Sequence, residues 1–545
     1  MIEFNYQRGN TLSSFVHRSP IRGAWILALG TAMAGTVACS SDGRVDDRDG
    51  EKLQATALDN TLLDEALGAA GASGIGDPYY PDLGNGGYDV SHYDIRLKYE
   101  PVSDLLAGTA TITATALQDL SSFNLDFLLK VKSVRVNGRD AAFTSSAGEL
   151  AVKPSIGLRK GTTMVVIVDY EDVPSQVTSN VAWIPAWRRT AGGALSTGEP
   201  FTAEWWFPCN NHPLDKATYD VSVAVPDGYE AISNGVLIAK SPPEDGWVRW
   251  QWRSSRPQVS YATIIAMGQY QIETGVTSSG RPFVNAYADD LGADAELARN
   301  LVNKTPAIID FFSGKLGEYP FEAQGGIVAR GRFGMETQTR PTYGSDLFGM
   351  GYLDYFIVHE LAHEWFGDSV SLMRWRDLWL NEGFATYGEF LWSEHVGDGT
   401  AQDVADHHYD SHPVDDPFWQ ILPGDPSPGG DTHFHAAVYQ RGAMTLQAVR
   451  HAVGDEAFFT ILRTWLRQNR YGNATTDAFI ALSERISGKS LRPLFDTWLY
   501  TSGRPTTRPS GTSPKVSAIA PRSYAAILGV HEKLDAIGHA SLVAR

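Results

Sequence analysis

The sequence predicts a multidomain α+β protein: an N-terminal antiparallel β domain, then a mainly helical domain with a small β-sheet. Three observations carry this. Residues 87–273 alternate apolar and polar side chains, the period of half-buried strands. From about Asp290 the apolar residues recur at helical spacing instead. The chain has 545 residues, 43% apolar and 20% charged, enough for more than one large core.

Ordered structure is expected to begin in "GYDVSHYDIRLKYEP" at 87–101. Strand patterns continue through "TATITATAL", "LAVKP", "TMVVIVDY", "YDVSVAVP", "VRWQWRS" and "YATIIAMGQYQIE". Turn signals such as "VNGRD" and "PDGYE" separate them. The β domain is therefore placed at 85–273. In the second domain, 274–505, "ADAELARNLVNKTPAIIDFFSGKLG" reads as helix and a short β stretch is expected near 325–339. Further helices are predicted at 352–366, 380–396, 438–453, 455–469, 476–487 and 492–500. Residues 506–545 turn to Pro, Thr, Ser and Gly, a composition expected to be mostly disordered.

The N-terminus reads as a targeting segment. Arg18 and Arg22 precede the uncharged run "AWILALGTAMAGTVA" at 24–38. That run is short of the ~20 apolar residues that span a bilayer. Its layout is that of a secretory signal over 1–38, with small residues at the exit. They end at Cys39, and "TVACSSD" resembles the lipobox of bacterial lipoproteins, which implies an acylated Cys39 and a membrane anchor; a plain signal is the alternative. Residues 39–84 are rich in Asp, Gly, Ala and Ser, and read as a flexible tether. The other cysteine is Cys209, so an exported chain would have no disulfide framework. The net charge is −18 without a Lys/Arg cluster, which argues against nucleic acid as the partner.

The chemistry concentrates in "HELAHEWFGD" at 359–368. On a helix, His359 and His363 lie one turn apart on one face and can present both imidazoles to a zinc ion. Glu360 points off that line, where it can act as general base on a water whose pKa the metal lowers. Hydrolytic zinc sites use a third protein ligand, and Glu382 in "WLNEGFATYGEF" follows His363 by nineteen residues. It sits between Leu380 and Phe384, where an unpaired charge is costly and a metal accounts for it. Upstream, Glu336 lies in the Gly-flanked extended stretch "RFGMET", where backbone can approach a ligand closely.

The His-Glu-x-x-His motif, eighteen intervening residues and Glu382 closely resemble the M1 (gluzincin) aminopeptidases, in particular their short bacterial members. "WFPCNNHPLDKATYDVSV", "RFGMETQTRP" and "VYQRGAMTL" are similar to further segments of that family, in the same order, between about Tyr88 and Pro505. The resemblance implies a thermolysin-like catalytic domain and one zinc ion held by His359, His363 and Glu382. It implies that Glu360 activates the water and that Tyr439 stabilises the oxyanion. It implies that Glu336 and Glu199, with Gly334 and Met335, hold a peptide by its free amino terminus. Thr197 and Thr337 stand where the family has side-chain amides. Asn211 and Arg441 replace its usual Asp and Lys, and Phe434 replaces a second tyrosine found in some members.

Two other functions fit parts of this pattern. A zinc endopeptidase would use the same metal chemistry, but Glu199 and Glu336 would penalise a chain continuing past the ammonium site. A surface peptide-binding protein with weak catalysis would not need His359, Glu360, His363, Glu382 and Tyr439 together. An epoxide hydrolase side activity, known in one M1 branch, is neither favoured nor opposed by these residues.

Overall fold

The computed structural model describes residues 68–179, 186–348, 354–513 and 520–529. The leader, Cys39 and the 39–67 part of the tether lie outside these. Among the described residues, no helix is long and apolar enough to cross a membrane.

The N-terminal half is built on an eight-stranded sheet. Its centre is the antiparallel run Tyr88–Glu100, Leu105–Ala116 and Thr163–Asp172, joined in parallel by Ala217–Pro226. The predicted alternation is what packs it. Tyr93, Ile95, Leu97 and Tyr99 face inward from the first strand, and Trp250 and Trp252 from Trp247–Gln258. A smaller sheet follows the order Trp187–Thr190, Gly193–Ser196, Ile265–Gly268, Glu230–Ser233. Its second strand leads directly to Glu199.

"YATIIAMGQYQIE" proves to be two strands serving two sheets. Ile265–Gly268 stays with the β domain, whereas Tyr270–Val276 pairs with Pro282–Ala288 in the sheet of the second domain. The structural break therefore falls at Gln269, ahead of the expected 273. That second sheet is five-stranded and mixed, with Gly334–Met335 at one edge beside Thr342–Gly344. The loop behind the edge strand is clamped to the β domain. The fully buried Arg340 donates to the carbonyls of Val284, Ser233 and Gly235, and Asn234 Nδ2 donates to Gln338 O at 2.7 Å.

The helices are α1 (Ala295–Val302), α2 (Thr305–Leu316), α3 (Asp354–Ala362), α4 (Trp379–Val396), α5 (Ala401–Ser411), α6 (Gly430–His433), α7 (Ala436–Val453), α8 (Asp455–Gln468), α9 (Thr476–Ser487) and α10 (Arg492–Phe495). The expected helices at 380–396, 438–453, 455–469 and 476–487 match these closely. That expected at 492–500 loosens into a π turn over Asp496–Tyr500. α5 was not predicted: its buried face at Ala401, Val404, Ala405, His408 and Tyr409 keeps helical spacing but carries few large apolar side chains. A Thr400–Asp403 capping box starts it.

Two segments read as flexible are packed. Residues 68–84, expected to belong to the flexible tether, are held by tertiary contacts. Asp77 is buried and accepts the Trp375 backbone N–H at 2.8 Å, and Tyr80 OH bonds His433 Nδ1 at 2.7 Å. These tertiary partners compensate a segment with little apolar content of its own. Likewise the described part of 506–545 is not a free tail: Ile527 is fully buried, Ser523 bonds Ser393, and Arg508 pairs with Asp410.

Candidate metal centre and substrate cleft

Two helices bring the ligand set together. His359 lies on α3 and His363 just past its end, where the His363 N–H still bonds the His359 carbonyl. Glu382 sits in the first turn of α4, packed against α3. His359 Nε2, His363 Nε2 and Glu382 Oε2 form a triangle with sides of 3.1, 3.2 and 3.3 Å. Ligand atoms about 2.0–2.1 Å from a tetrahedral zinc ion stand about 3.4 Å apart, so the triangle fits such an ion. The other ring nitrogens agree. His359 Nδ1 lies 2.7 Å from Glu389 Oε1, and His363 Nδ1 lies 3.0 Å from the Phe366 carbonyl. Nδ1–H donates in both rings, which leaves each Nε2 lone pair facing the cluster. His359, His363 and Glu382 could hold one zinc ion.

Glu360 is buried beside this cluster. Burial pushes its carboxyl up to about 8, against the pull of His359 and His363. Gly334 presses on it: a Cβ there would lie 2.4 Å from Glu360 Oε1 and from the Phe356 ring, so only glycine lets the edge strand come this close. Met335 follows, buried, and then Glu336. Glu336 and Glu199 converge. Their carboxylate oxygens lie within 4.8 Å of each other and of Glu382. Oε1 of each is buried without a hydrogen-bond partner in the described structure. Burial raises both pKa values, and Glu336 further raises that of Glu199. Tyr439, on α7, stacks its ring at 6.0 Å from that of His359.

The departures from the M1 pattern have local explanations. Asn211 Nδ2 donates to Pro200 O and Glu204 Oε2, both at 3.2 Å, which pins the segment after Glu199. An aspartate there could not donate and would face Glu204. Arg441 is fully buried and spends its guanidinium on the carbonyls of Trp419, Ile421, Thr497 and Thr501. Thr197 and Thr337 turn to structural bonds, with Thr342 and the Arg340 carbonyl. Phe434 packs beside His433 on the protein core.

Two residues that the structure singles out, Glu389 and Arg188, were not predicted. Glu389 follows Glu382 by seven on α4, two turns along one face, a spacing that could have flagged it. Arg188 gave no sequence signal.

Fold and site together are a β-rich domain and a mainly helical domain with a buried His–His–Glu cluster that could hold one zinc ion. Comparisons with known proteins agree: residues 351–498 match the "Peptidase family M1 domain" and residues 190–262 the "Peptidase M1 N-terminal domain". Both are models of the M1 peptidase family, and together they cover less than half of this chain. Glutamyl aminopeptidase of Rattus norvegicus is 26% identical over 465 residues, 77% of this chain and 48% of the relative. That of Homo sapiens is 26% identical over 464 residues, 77% of this chain and 47% of the relative. The chain spans about half the length of these curated relatives. It spans all of a solved M1 zinc metallopeptidase from Deinococcus radiodurans: 29% identity, TM-score 0.71, covering 82% of this chain and 100% of that one. A mutant of the Deinococcus radiodurans protein bound to a Tyr-Ser-Ala substrate is 28% identical, with TM-score 0.69, covering 82% of this chain and 100% of that one.

Proposed function

We propose that this chain is a zinc aminopeptidase that removes the first residue of peptides with a free amino terminus. One observation carries the reading. Glu199 and Glu336 bring buried, unpartnered carboxylate oxygens together beside the metal cluster. Two such groups side by side are costly unless a cation joins them. A peptide α-ammonium supplies that cation and sets the scissile carbonyl one residue away. The similarity to aminopeptidases and to a metallopeptidase bound to a tripeptide supports the same reading.

His359, His363 and Glu382 would hold the zinc ion, which would supply Lewis acidity when bound. The chain's own groups do the rest. Gly334–Met335 is an edge strand, so its free backbone groups can pair with an extended peptide. Glu360 takes the proton of the attacking water and returns it to the departing amine. Tyr439 donates its phenolic hydrogen to the developing oxyanion, an interaction worth about 3 kcal/mol in comparable sites.

The experiment compares matched peptides with free and with acetylated amino termini. Cleavage of the free form alone is expected; equal cleavage of both would establish the endopeptidase instead. We also propose that the protein is exported and anchored through an acylated Cys39, a reading that rests on the "TVACSSD" segment. Radiolabelled palmitate should enter the wild-type protein and not Cys39→Ala. Equal labelling of both would remove the anchor.

A further inference from the structure

Two neighbouring arginines on one strand have different surroundings. Arg189 is fully engaged: Nη1 lies 2.8 Å from Asp104 Oδ1 and 2.9 Å from Tyr99 OH, and Nη2 donates to Pro101 O. Trp187 Nε1 also donates to Asp104, at 3.1 Å. Side chains alternate along a strand, so Arg188 points to the opposite face. There its guanidinium lies over the Phe333 ring, 5.4 Å from the centroid. Among the described residues it has no carboxylate partner and no hydrogen bond, and its Nε is buried. Burial pulls its pKa down, with no acid to restore it. Arg188 is only partly buried, so an incoming anion can reach a guanidinium that has no acid of its own.

Its relation to the Gly334–Met335 strand says which anion. Arg188 stands opposite Leu195, on the strand that runs on to Glu199. Phe333 beneath it directly precedes Gly334, which abuts Glu360. Reading backward from Glu336 to Phe333, through the edge strand Gly334–Met335, gives three stations. Glu336 comes first, with Glu199, for the amino terminus. Gly334 follows, beside Glu360 and the bond to be cut. Phe333, with Arg188, comes last. Three extended residues cover about 10 Å, and a bound peptide advances at the same pitch. Arg188 therefore stands on the leaving side, one or two residues past the cut.

We propose that Arg188 binds a carboxylate on the leaving part of the substrate, so that the site favours peptides with negative charge just after the scissile bond. The guanidinium fork matches a carboxylate in two-point geometry. That carboxylate is either the C-terminus of a short peptide or an acidic side chain. The proposal rests on the aminopeptidase reading above.

The test uses the full chain with zinc and reads ratios. Leu-Gly-Gly is compared with its C-terminal amide, and Leu-Asp-Gly-amide with Leu-Asn-Gly-amide. In the wild type at least one charged peptide of these pairs is expected to show about tenfold or higher kcat/KM, carried mainly by KM. The pair that shows it names the source of the carboxylate. Arg188→Gln should bring that ratio near one, whatever it does to the uncharged peptide, and Arg188→Lys should restore part of it. A ratio near one in the wild type, or one that survives Arg188→Gln, overturns the proposal. The same pairs are titrated by calorimetry against E360Q, with and without R188Q. A charge preference lost with R188Q sustains the role of Arg188 even if the wild type turned over neither peptide. That absence of turnover would sink the aminopeptidase reading alone.

Discussion

Gly383 on α4 and Gly442 on α7 pack backbone against backbone. A Cβ on either would lie 2.9 Å from the Cα of the other. This contact sets the spacing of the two helices that carry Glu382 and Tyr439. Gly442→Ala should force the helices apart, destabilise the protein by about 1–3 kcal/mol and lower kcat by shifting Tyr439 against the ligands. Thermal denaturation and kinetics at saturating zinc check this. Wild-type values for both would show that the close approach is dispensable.

Glu360 and Tyr439 should separate kinetically. Glu360→Gln should lower turnover about a thousandfold while bound zinc stays near one per chain. Near-normal activity would remove the general base. Tyr439→Phe should lower kcat by about a hundredfold or more and leave KM almost unchanged. A pure KM effect would assign Tyr439 to ground-state binding.

Glu389 holds the Nδ1 side of His359 at 2.7 Å. Glu389→Gln should weaken zinc binding about 10- to 100-fold, measured against a competing chelator. Excess zinc should then recover much of the activity, and Glu389→Asp part of the affinity. Unchanged zinc affinity would make Glu389 a bystander.

The buried acids of the β domain give stability a pH dependence. Burial raises Asp126 to about 7, and Glu204 and Asp215 to about 8. Each keeps its proton in the fold at a pH where the unfolded chain has lost it. Their contribution is complete below about pH 4 and is lost as pH rises through 7 to 8. Asp77 runs the other way. Burial opposes its charge, but His212 and the backbone N–H groups of Trp375 and Tyr79 hold its pKa down, so its contribution is lost in acid. The melting temperature should therefore be higher near about pH 5.5 than near about pH 8.5. Asp126→Asn should flatten the decline. A melting temperature that rises between those two values would contradict the assignment.

Much of the metal centre is legible in local spacing. A four-residue interval on a helix sets His359 beside His363 before any packing is known, and an apolar helix around Glu382 requires something to meet its charge. The long helices and the alternation of Tyr88–Glu100 are legible for the same reason, since periodicity records which face is buried. Order at 68–84 and near 520–529 is not, because Tyr80, Asp77 and Ile527 are held by partners remote in sequence. The division of "YATIIAMGQYQIE" between two sheets is equally hidden, since strand pairing leaves no mark on one strand's own pattern.

The sequence by itself determined the fold class and the pairing of His359 with His363 from short-range periodicity, and it singled out Glu382 as a charge in an apolar segment. Only the tertiary structure decided that carboxylate oxygens of Glu199 and Glu336 lie within 4.8 Å of each other, that Glu389 Oε1 lies 2.7 Å from His359 Nδ1, and that Arg188 lies over the Phe333 ring without an acid among the described residues. Convergence of this kind depends on where separate strands and helices are packed, and no local spacing encodes that.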